Sequence, residues 1–318
     1  MRLLIDALPV PRDERLLIGF DNAEDAAVYR LDAERALVFT TDVITPLVDD
    51  PKLFGAIAAT NSLSDVAAMG GKPLISLSFL SAPASVPPDV VAAIAVGGAE
   101  TAMASGAPVV GGHSIAGRDL LYGLAVVGMA HPDRLFRNDR LRPGDELLLT
   151  KPLGTGTLTT AAMNDALAQS DLAEAVAGMT LSNAAAVDPM HQAKVQAATD
   201  ITGFGLLGHA AELARASKVQ VLIDTPAVPE YARAREMLER KFLTGASTKN
   251  LDYARSLGPV DGEPDLILRD PQTSGGLLVA VRPDKRDSLL AALRAAGYAH
   301  VARIGEVRAG AGLKLLPR

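Results

Sequence analysis

The chain has no cysteine among its 318 residues, and aromatic residues make up only 4% of it. The lack of cysteine excludes disulfides, thiolate metal sites and cysteine nucleophiles. Because 48% of the residues are hydrophobic and few are aromatic, the core must consist mostly of Ala, Val, Leu and Ile. A chain of this length is expected to form two domains, each large enough to bury a core of its own.

Long apolar runs and basic runs are also missing. No segment approaches the roughly 18 consecutive apolar residues of a membrane span, and the N-terminal residues lack a signal-peptide pattern, so we expect a cytoplasmic protein. The net charge of −6 is not offset by any basic run. This argues against nucleic acid and membranes as partners and favours a small-molecule substrate.

Histidine is scarce too, and the five histidines show no zinc-site spacing. What the chain does contain is single aspartates in similar settings, namely Asp25, Asp42 at the end of a predicted strand, Asp65 and Asp200. Any one of them alone is most simply a turn residue or a helix cap. Four of them, in a chain with several glycine turns and no competing ligand cluster, predict a site for Mg²⁺ and a nucleoside triphosphate.

Two glycine-rich segments are candidates for phosphate contacts. Asp200 is followed by three glycines, at 203, 205 and 208, that lead into an apolar helix, and N–H groups at a helix N-terminus favour anions. The 111–114 segment, Gly-Gly-His-Ser, follows a short predicted strand and is either a plain tight turn or a turn whose N–H groups face an anion. Neither a P-loop nor a G-x-G-x-x-G fingerprint is present.

Strand and helix patterns alternate along the chain, which predicts an α/β or α+β layered architecture. We place the domain boundary at a polar turn, giving domains 1–145 and 146–318. Strands are predicted at 16–19, 26–29, 36–40, 73–80, 108–110, 120–130, 146–150, 219–223 and 302–307, and helices at 52–69, 87–105, 157–168, 172–187, after 203 and at 284–296. Residues 241–263 show little periodicity and are predicted to form a long loop.

These segments, in this order, resemble the selenophosphate synthetase (selenide, water dikinase) family. Its superfamily includes aminoimidazole ribonucleotide synthetase and thiamine monophosphate kinase. The matching segments are 25–29, 40–42, 57–65, 68–73, 111–115, 122–126, 149–154, Thr199-Asp200-Ile201-Thr202-Gly203-Phe204-Gly205-Leu206-Leu207-Gly208-His209 and Asp270-Pro271-Gln272-Thr273-Ser274-Gly275-Gly276-Leu277-Leu278. The last two are the most specific to the family.

The resemblance implies a two-domain aminoimidazole ribonucleotide synthetase-like fold. Its N-terminal domain is a mixed sheet with helices that pairs with a second subunit in a homodimer, with ATP near the interface, and its C-terminal domain is α+β. By motif match, the implied Mg²⁺ ligands are Asp25, Asp65 and Asp200. The implied ATP contacts are Asn22, Ala23, Glu24, Asp42, Asp65, Gly112, His113 and Ser114.

The reaction implied by the resemblance converts ATP, selenide and water into selenophosphate, AMP and phosphate. Mg²⁺ and ATP would then be the cofactor and co-substrate. We also expect Asp200→Ala to leave the fold intact, on the premise that a metal-binding aspartate is exposed rather than part of the core.

The match departs from the family pattern in its N-terminal arm, where family members carry a Cys or selenocysteine and a Lys that acts on the phosphates. The first lysine here is Lys52, and Glu24 and Ala56 stand where an Asp and a basic residue are expected. No catalytic residue is therefore assigned. Three explanations stay open: a truncated enzyme, an arm supplied by another polypeptide, or ATP binding without selenophosphate synthesis. A related small-molecule kinase or synthetase of the same superfamily is a weaker alternative.

Overall fold

The computed structural model describes Pro9 and residues 13–19 and 23–317. The strands of its first half are β1 (Leu16–Ile18), β2 (Ala27–Arg30), β3 (Ala36–Ile44), β4 (Lys72–Ala82), β5 (Val109–Ala116) and β6 (Leu121–Ala130). They form a six-stranded sheet in the order β1-β2-β3-β6-β4-β5, in which β4 and β5 are parallel and the other neighbours antiparallel.

Two helices, α1 (Pro51–Ala68) and α2 (Pro88–Ala104), cover one face of this sheet. Asp50 caps α1 by accepting hydrogen bonds from the N–H groups of Lys52 and Leu53. Fourteen of the 18 residues of α1 are buried, so this helix is a core element on nearly all sides. At Gly55 the helices touch so closely that a Cβ atom would lie 2.0 Å from the carbonyl oxygen of Ile94.

The opposite face of the first sheet is apolar and exposed. Along β3, alternate side chains point away from the helices, and Phe39 is 54% exposed. Leu77 on β4 and Val110 on β5 are 50% and 59% exposed. Within the described residues, the first sheet therefore has one covered face and one uncovered apolar face.

The strands of the second half are β7 (Glu146–Leu149), β8 (Ala197–Asp200), β9 (Gln220–Asp224), β10 (Val260–Asp261), β11 (Leu277–Val281), β12 (Ala302–Arg308) and β13 (Gly312–Leu316). They form a seven-stranded mixed sheet in the order β10-β13-β9-β12-β7-β11-β8. The helices are α3 (Thr155–Met163), α4 (Ala173–Thr180), α5 (Val187–Gln192), α6 (Gly205–Ser217), α7 (Ala234–Glu239), α8 (Ala246–Leu257) and α9 (Pro283–Ala295). The two sheets lie on either side of the boundary predicted after residue 145, which stays a prediction.

Several local predictions were wrong. The predicted 172–187 helix is interrupted at Leu181, whose extended backbone separates α4 from α5. The predicted 241–263 loop contains α8 and β10, and α7 and β13 were not predicted at all. α8 gave no periodic signal because Ser247, Asn250 and Ala254 are its only buried residues within the described chain.

The 111–114 segment is not a turn, because β5 continues through it. Gly112 has φ +154°, and a Cβ atom there would lie 2.0 Å from the Ser78 carbonyl oxygen, so the glycine permits close strand pairing at an irregular register. Asp42 likewise lies within β3 rather than at its end, because the strand runs on to Ile44.

The two halves of the chain pack against each other. Ala68 at the end of α1 and Phe136 in the connecting segment belong to the same buried cluster as Leu148 of β7. No helix in the described part of the chain is long and apolar enough to cross a membrane.

Candidate functional site

Four aspartates from separate elements meet where the two halves join. Asp25 lies two residues before the start of β2, Asp42 lies in β3, Asp65 lies on α1, and Asp200 ends β8. Asp65 and Asp200 are only 8% and 2% exposed. Asp200 is thus buried, and the premise that it is an exposed ligand outside the core was wrong. These four residues are referred to below as the carboxylate cluster.

Hydroxyl groups hold two members of the cluster across the junction. Thr199 Oγ1 donates a hydrogen bond of 2.7 Å to Asp25 Oδ1, and Ser64 Oγ donates one of 2.5 Å to Asp200 Oδ2. Each bond joins a residue of the first half to one of the second. The Thr40 hydroxyl donates to Asp65 within the first half. Hydrogen bonds from neighbouring hydroxyl groups therefore position these carboxylates.

The side-chain amide of Asn61 links Asp42 to the segment after Asp270 through hydrogen bonds. Asn61 of α1 donates through Nδ2 to Asp42 Oδ2 at 2.8 Å, and its Oδ1 accepts from the backbone N–H of Ser274 at 2.9 Å. Because Asn61 and Asp65 lie four residues apart on α1, one helix face contacts both the cluster and the second half.

Burial is the main reason that the pKa of every member of the cluster is raised. For Asp25, Asp42 and Asp65 the second cause is the nearby charge of Asp200, which disfavours ionisation further. The pKa of Asp42 rises to about 6, and those of Asp25 and Asp65 lie well above the usual Asp range. A cation at this place would relieve the repulsion and favour the ionised carboxylates.

The cluster fits Mg²⁺ that is bound together with phosphate oxygens. Asp25 Oδ2 and Glu24 Oε1 are buried and have no hydrogen-bond partner within the described residues. No group of three or more acidic or histidine side chains in the described part of the chain is placed to hold a metal ion by itself. Mg²⁺ needs no such cage when a nucleotide is present, since it commonly takes one or two carboxylates and completes its shell with phosphate and water.

A cavity of about 700 Å³ opens beside the cluster. Glu24, Asp25 and Thr40 supply polar atoms to its wall, and Phe39 and Ala125 are among its apolar residues. Burial raises the pKa of Glu24 to about 7. The cavity combines an acidic wall with an apolar floor, as expected for a small ligand that has a polar and an apolar part.

The loop before Asp25 is held by the segment that connects the two halves. Ala23 has φ 51°, and its carbonyl accepts a hydrogen bond of 2.8 Å from Asn138 Nδ2. The backbone N–H of Asn138 donates to Glu24 Oε2 at 3.0 Å. Of the predicted ATP contacts, Ala23 and Glu24 therefore line the cavity, and Asn22 lies outside the described residues.

Gly112, His113 and Ser114 are not brought to this cavity. They lie on β5, at the edge of the first sheet, and are exposed. They are absent from the cavity wall, whose strand residues in the first sheet come from β1, β2, β3 and β6. Within one chain, the predicted ATP contacts thus form two separate groups.

Lys151 is a buried residue of this region to which the sequence assigned no role. It is 1% exposed, and its Nζ donates to the carbonyl oxygens of Leu181 at 2.6 Å and Ser274 at 3.0 Å. Burial lowers the pKa of Lys151 to about 7, although the charge of Asp200 acts in the opposite direction. The lysine fixes the glycine-rich segment after Asp270 behind the cluster. Lys151 lies in the matching segment 149–154, which could have drawn attention to it. Its hydrogen bonds to the Leu181 and Ser274 carbonyls are visible only in the folded structure.

His209, which follows the third glycine after Asp200, is buried on α6. Its Nε2 accepts a hydrogen bond of 3.2 Å from the Thr202 backbone N–H, and its Nδ1 lies 3.0 Å from Glu212 Oε2. Burial lowers the pKa of His209, but the hydrogen bond and charge of Glu212 outweigh it, and the net shift is upward. His209 thereby orders the turn between β8 and α6.

Comparisons with known proteins agree with this architecture. Residues 23–130 match the N-terminal domain, and residues 142–316 the C-terminal domain, of AIR synthase related proteins. The hydrogenase maturation protein HypE from E. coli has the same fold, with a TM-score of 0.70 over 91% of this chain and 87% of its own and 23% identity. The predicted fold class, a two-domain aminoimidazole ribonucleotide synthetase-like fold, is confirmed.

Two curated relatives are much more similar in sequence. The selenide, water dikinase of Rhizobium meliloti (strain 1021) is 43% identical over 302 residues, which cover 93% of this chain and 86% of the relative. That of Paraburkholderia xenovorans (strain LB400) is 44% identical over 318 residues, covering 98% and 89%. The predicted resemblance is confirmed: the chain belongs to the selenide, water dikinase family of AIR synthase related proteins.

Proposed function

We propose that the chain catalyses the conversion of ATP, selenide and water to selenophosphate, AMP and phosphate. The observation that carries the proposal is the carboxylate cluster, whose members come from both halves of a chain of this family and lie beside a cavity of about 700 Å³. Phosphoryl transfer is catalysed mainly by positioning and by neutralisation of developing negative charge. A preformed cluster of this kind is suited to that task once it holds metal ions.

Asp25, Asp65 and Asp200 are the proposed Mg²⁺ ligands, with Ala23, Glu24 and Asp42 contacting the nucleotide. When bound, Mg²⁺ neutralises phosphate charge and orients the phosphates for transfer. The chain holds the ligand set in place through the Thr199 and Ser64 hydroxyls. The buried position of Asp200 limits water around it and strengthens its interaction with a cation.

We also propose that the chain forms a homodimer through the uncovered apolar face of its first sheet. Exposed Phe39 and Leu77 support this, since such a face is unusual on a soluble monomer. Because Gly112, His113 and Ser114 lie at the edge of the same sheet and away from the cavity of their own chain, we propose that they contact ATP bound by the other subunit. We also propose a cytoplasmic location, which is supported by the lack of long apolar runs in the sequence.

Phosphorus NMR of the purified protein under anaerobic conditions, with Mg²⁺, ATP and selenide, tests the reaction. Selenophosphate and AMP are expected to appear together, and only when selenide is present. Asp200→Asn should lower the rate at least about 100-fold, because losing a direct metal ligand costs no less than losing one of its supporting hydrogen bonds.

Asp252→Asn is the matched control, since Asp252 is exposed on α8, and it should react like the unaltered protein. ATP that binds but is not consumed would contradict catalysis by this chain and favour the second candidate, an ATP-binding subunit that depends on an arm supplied from elsewhere. Equal rates in Asp200→Asn and the control would remove Asp200 from the site.

A further inference from the structure

We infer that a basic cleft on the far side of the connecting segment binds inorganic phosphate or a phosphate ester. The cleft has a volume of about 610 Å³ and lies between residues 132–140, which follow β6, and residues 191–196, which comprise the end of α5 and the segment after it. Four of its lining residues are cationic, namely Arg134, Arg137, Arg140 and Lys194, and one, Asp133, is anionic, so cations outnumber anions in the lining. Among the described residues, none lines both this cleft and the cavity beside the carboxylate cluster.

The charge of the cleft is only partly neutralised by the protein. Asp139 accepts two hydrogen bonds from Arg137, of 2.9 and 2.7 Å, and lies 3.4 Å from Arg140. Neither Arg134 nor Lys194 forms a salt bridge within the described residues, and both are exposed at the cleft. In a chain whose net charge is −6, this local excess of positive charge attracts anions.

The cleft is built on a rigid frame, which reduces the entropy lost on binding. The backbone N–H of Arg137 donates to the Gln196 carbonyl at 2.9 Å and so joins the two walls. His191 packs against Phe136 with ring centroids 4.7 Å apart, and its Nε2 lies 2.9 Å from the Gly70 carbonyl oxygen. The cationic side chains therefore project from a backbone that is already fixed.

The chemistry of the lining selects a compact oxyanion. Guanidinium groups form paired, charge-assisted hydrogen bonds with phosphate, and a lysine adds a mobile point charge. The concave shape and limited volume suit a small molecule. Binding here needs no metal ion, in contrast to the carboxylate cluster, where phosphate is held only together with a cation.

Asn138 connects the cleft to the nucleotide cavity. Asn138, which directly follows Arg137, donates its backbone N–H to Glu24 Oε2, and its side chain donates to the Ala23 carbonyl. The positive charges of Arg137 and Arg140 lower the pKa of Glu24, acting against the dominant effect of burial. An anion bound by Arg137 would therefore lie beside Asn138, the residue that holds the Ala23–Glu24 loop of the cavity.

Isothermal titration of inorganic phosphate into the full-length protein in EDTA tests the inference without any need for catalysis. We expect one saturable site whose affinity falls at least about tenfold in the double variant Arg134→Ala/Lys194→Ala. The control Lys249→Ala/Arg294→Ala removes the same charge from exposed positions on α8 and α9 and should leave the affinity within about twofold.

Titration of AMP distinguishes the two ligand sources. If AMP binds this site more tightly than phosphate and loses affinity in the double variant, the natural ligand is a phosphate ester; tighter binding of phosphate assigns the free ion. The inference is overturned if the unaltered protein shows no saturable phosphate binding, or if both variant pairs weaken it equally. Since no turnover is measured, failure of the proposed reaction does not affect the result.

Discussion

Replacing Asp42 by Asn is expected to make the metal-free protein more stable while weakening the nucleotide site. The substitution removes a negative charge from the carboxylate cluster and keeps an oxygen that can accept the hydrogen bond from Asn61. Burial and the charge of Asp200 raise the pKa of Asp42 from 3.8 to about 6, so the ionised form destabilises the folded protein.

The size and sign of the effect follow from that pKa. Because the folded protein binds the proton more tightly than the unfolded chain, the free energy of unfolding falls as pH rises from 3.8 to about 6 and then stays constant. The rise in pKa corresponds to about 3 kcal/mol. The stabilisation by Asp42→Asn should therefore be about 3 kcal/mol near pH 8, about half of that near pH 5, and absent in stronger acid.

Urea unfolding in EDTA, near both pH values, measures these differences, with Asp49→Asn as a control because Asp49 is exposed. Adding Mg²⁺ and ATP should reduce or reverse this difference in the free energy of unfolding. These ligands bind only the folded state, and they should stabilise the unaltered protein more than the variant because its site is complete. The reasoning is refuted if Asp42→Asn is less stable than the unaltered protein in EDTA near pH 8, or if the gain is independent of pH.

Three further changes test the packing and the proposed interface. Leu148→Asp places an unpaired charge on a fully buried strand and should lower the free energy of unfolding by more than about 3 kcal/mol, or prevent soluble expression. Gly55→Ala drives a Cβ atom into the Ile94 carbonyl and should cost about 1–3 kcal/mol in urea unfolding. Phe39→Glu with Leu77→Glu should shift sedimentation from dimer to monomer while leaving the circular dichroism spectrum unchanged; a dimer that persists contradicts the proposed interface.

The sequence was informative where local pattern and tertiary environment agree. The helix predicted after the glycines that follow Asp200 is present, because Gly205 adopts φ +66° and allows the chain to turn into α6. The Asn61 and Asp65 pair also shares a helix face that contacts the second half, as their spacing indicates.

Other features depend on contacts that no local pattern encodes. α8 has a polar sequence, and it is held by tertiary contacts such as the hydrogen bonds from Asn250 to the Gly203 and Arg269 carbonyls. The burial of Asp200 arises only when α1 packs against β8 and supplies Ser64. The position of Gly112 on an edge strand follows from its pairing with β4, which is set by the whole sheet.

Because α1 is buried between the two halves, the chain could not be cut between its two sheets without dividing the site. Ser64 and Asn61 of α1 bond to residues far along the sequence, so a cut between the sheets would leave a carboxylate cluster with Asp200 on one fragment and Asp65 on the other. Neither fragment would hold a complete set of ligands. Mixed fragments would have to reassociate through the packing and hydrogen bonds of α1 before the site is complete, so metal and nucleotide, which need the complete site, would strengthen the association of the fragments.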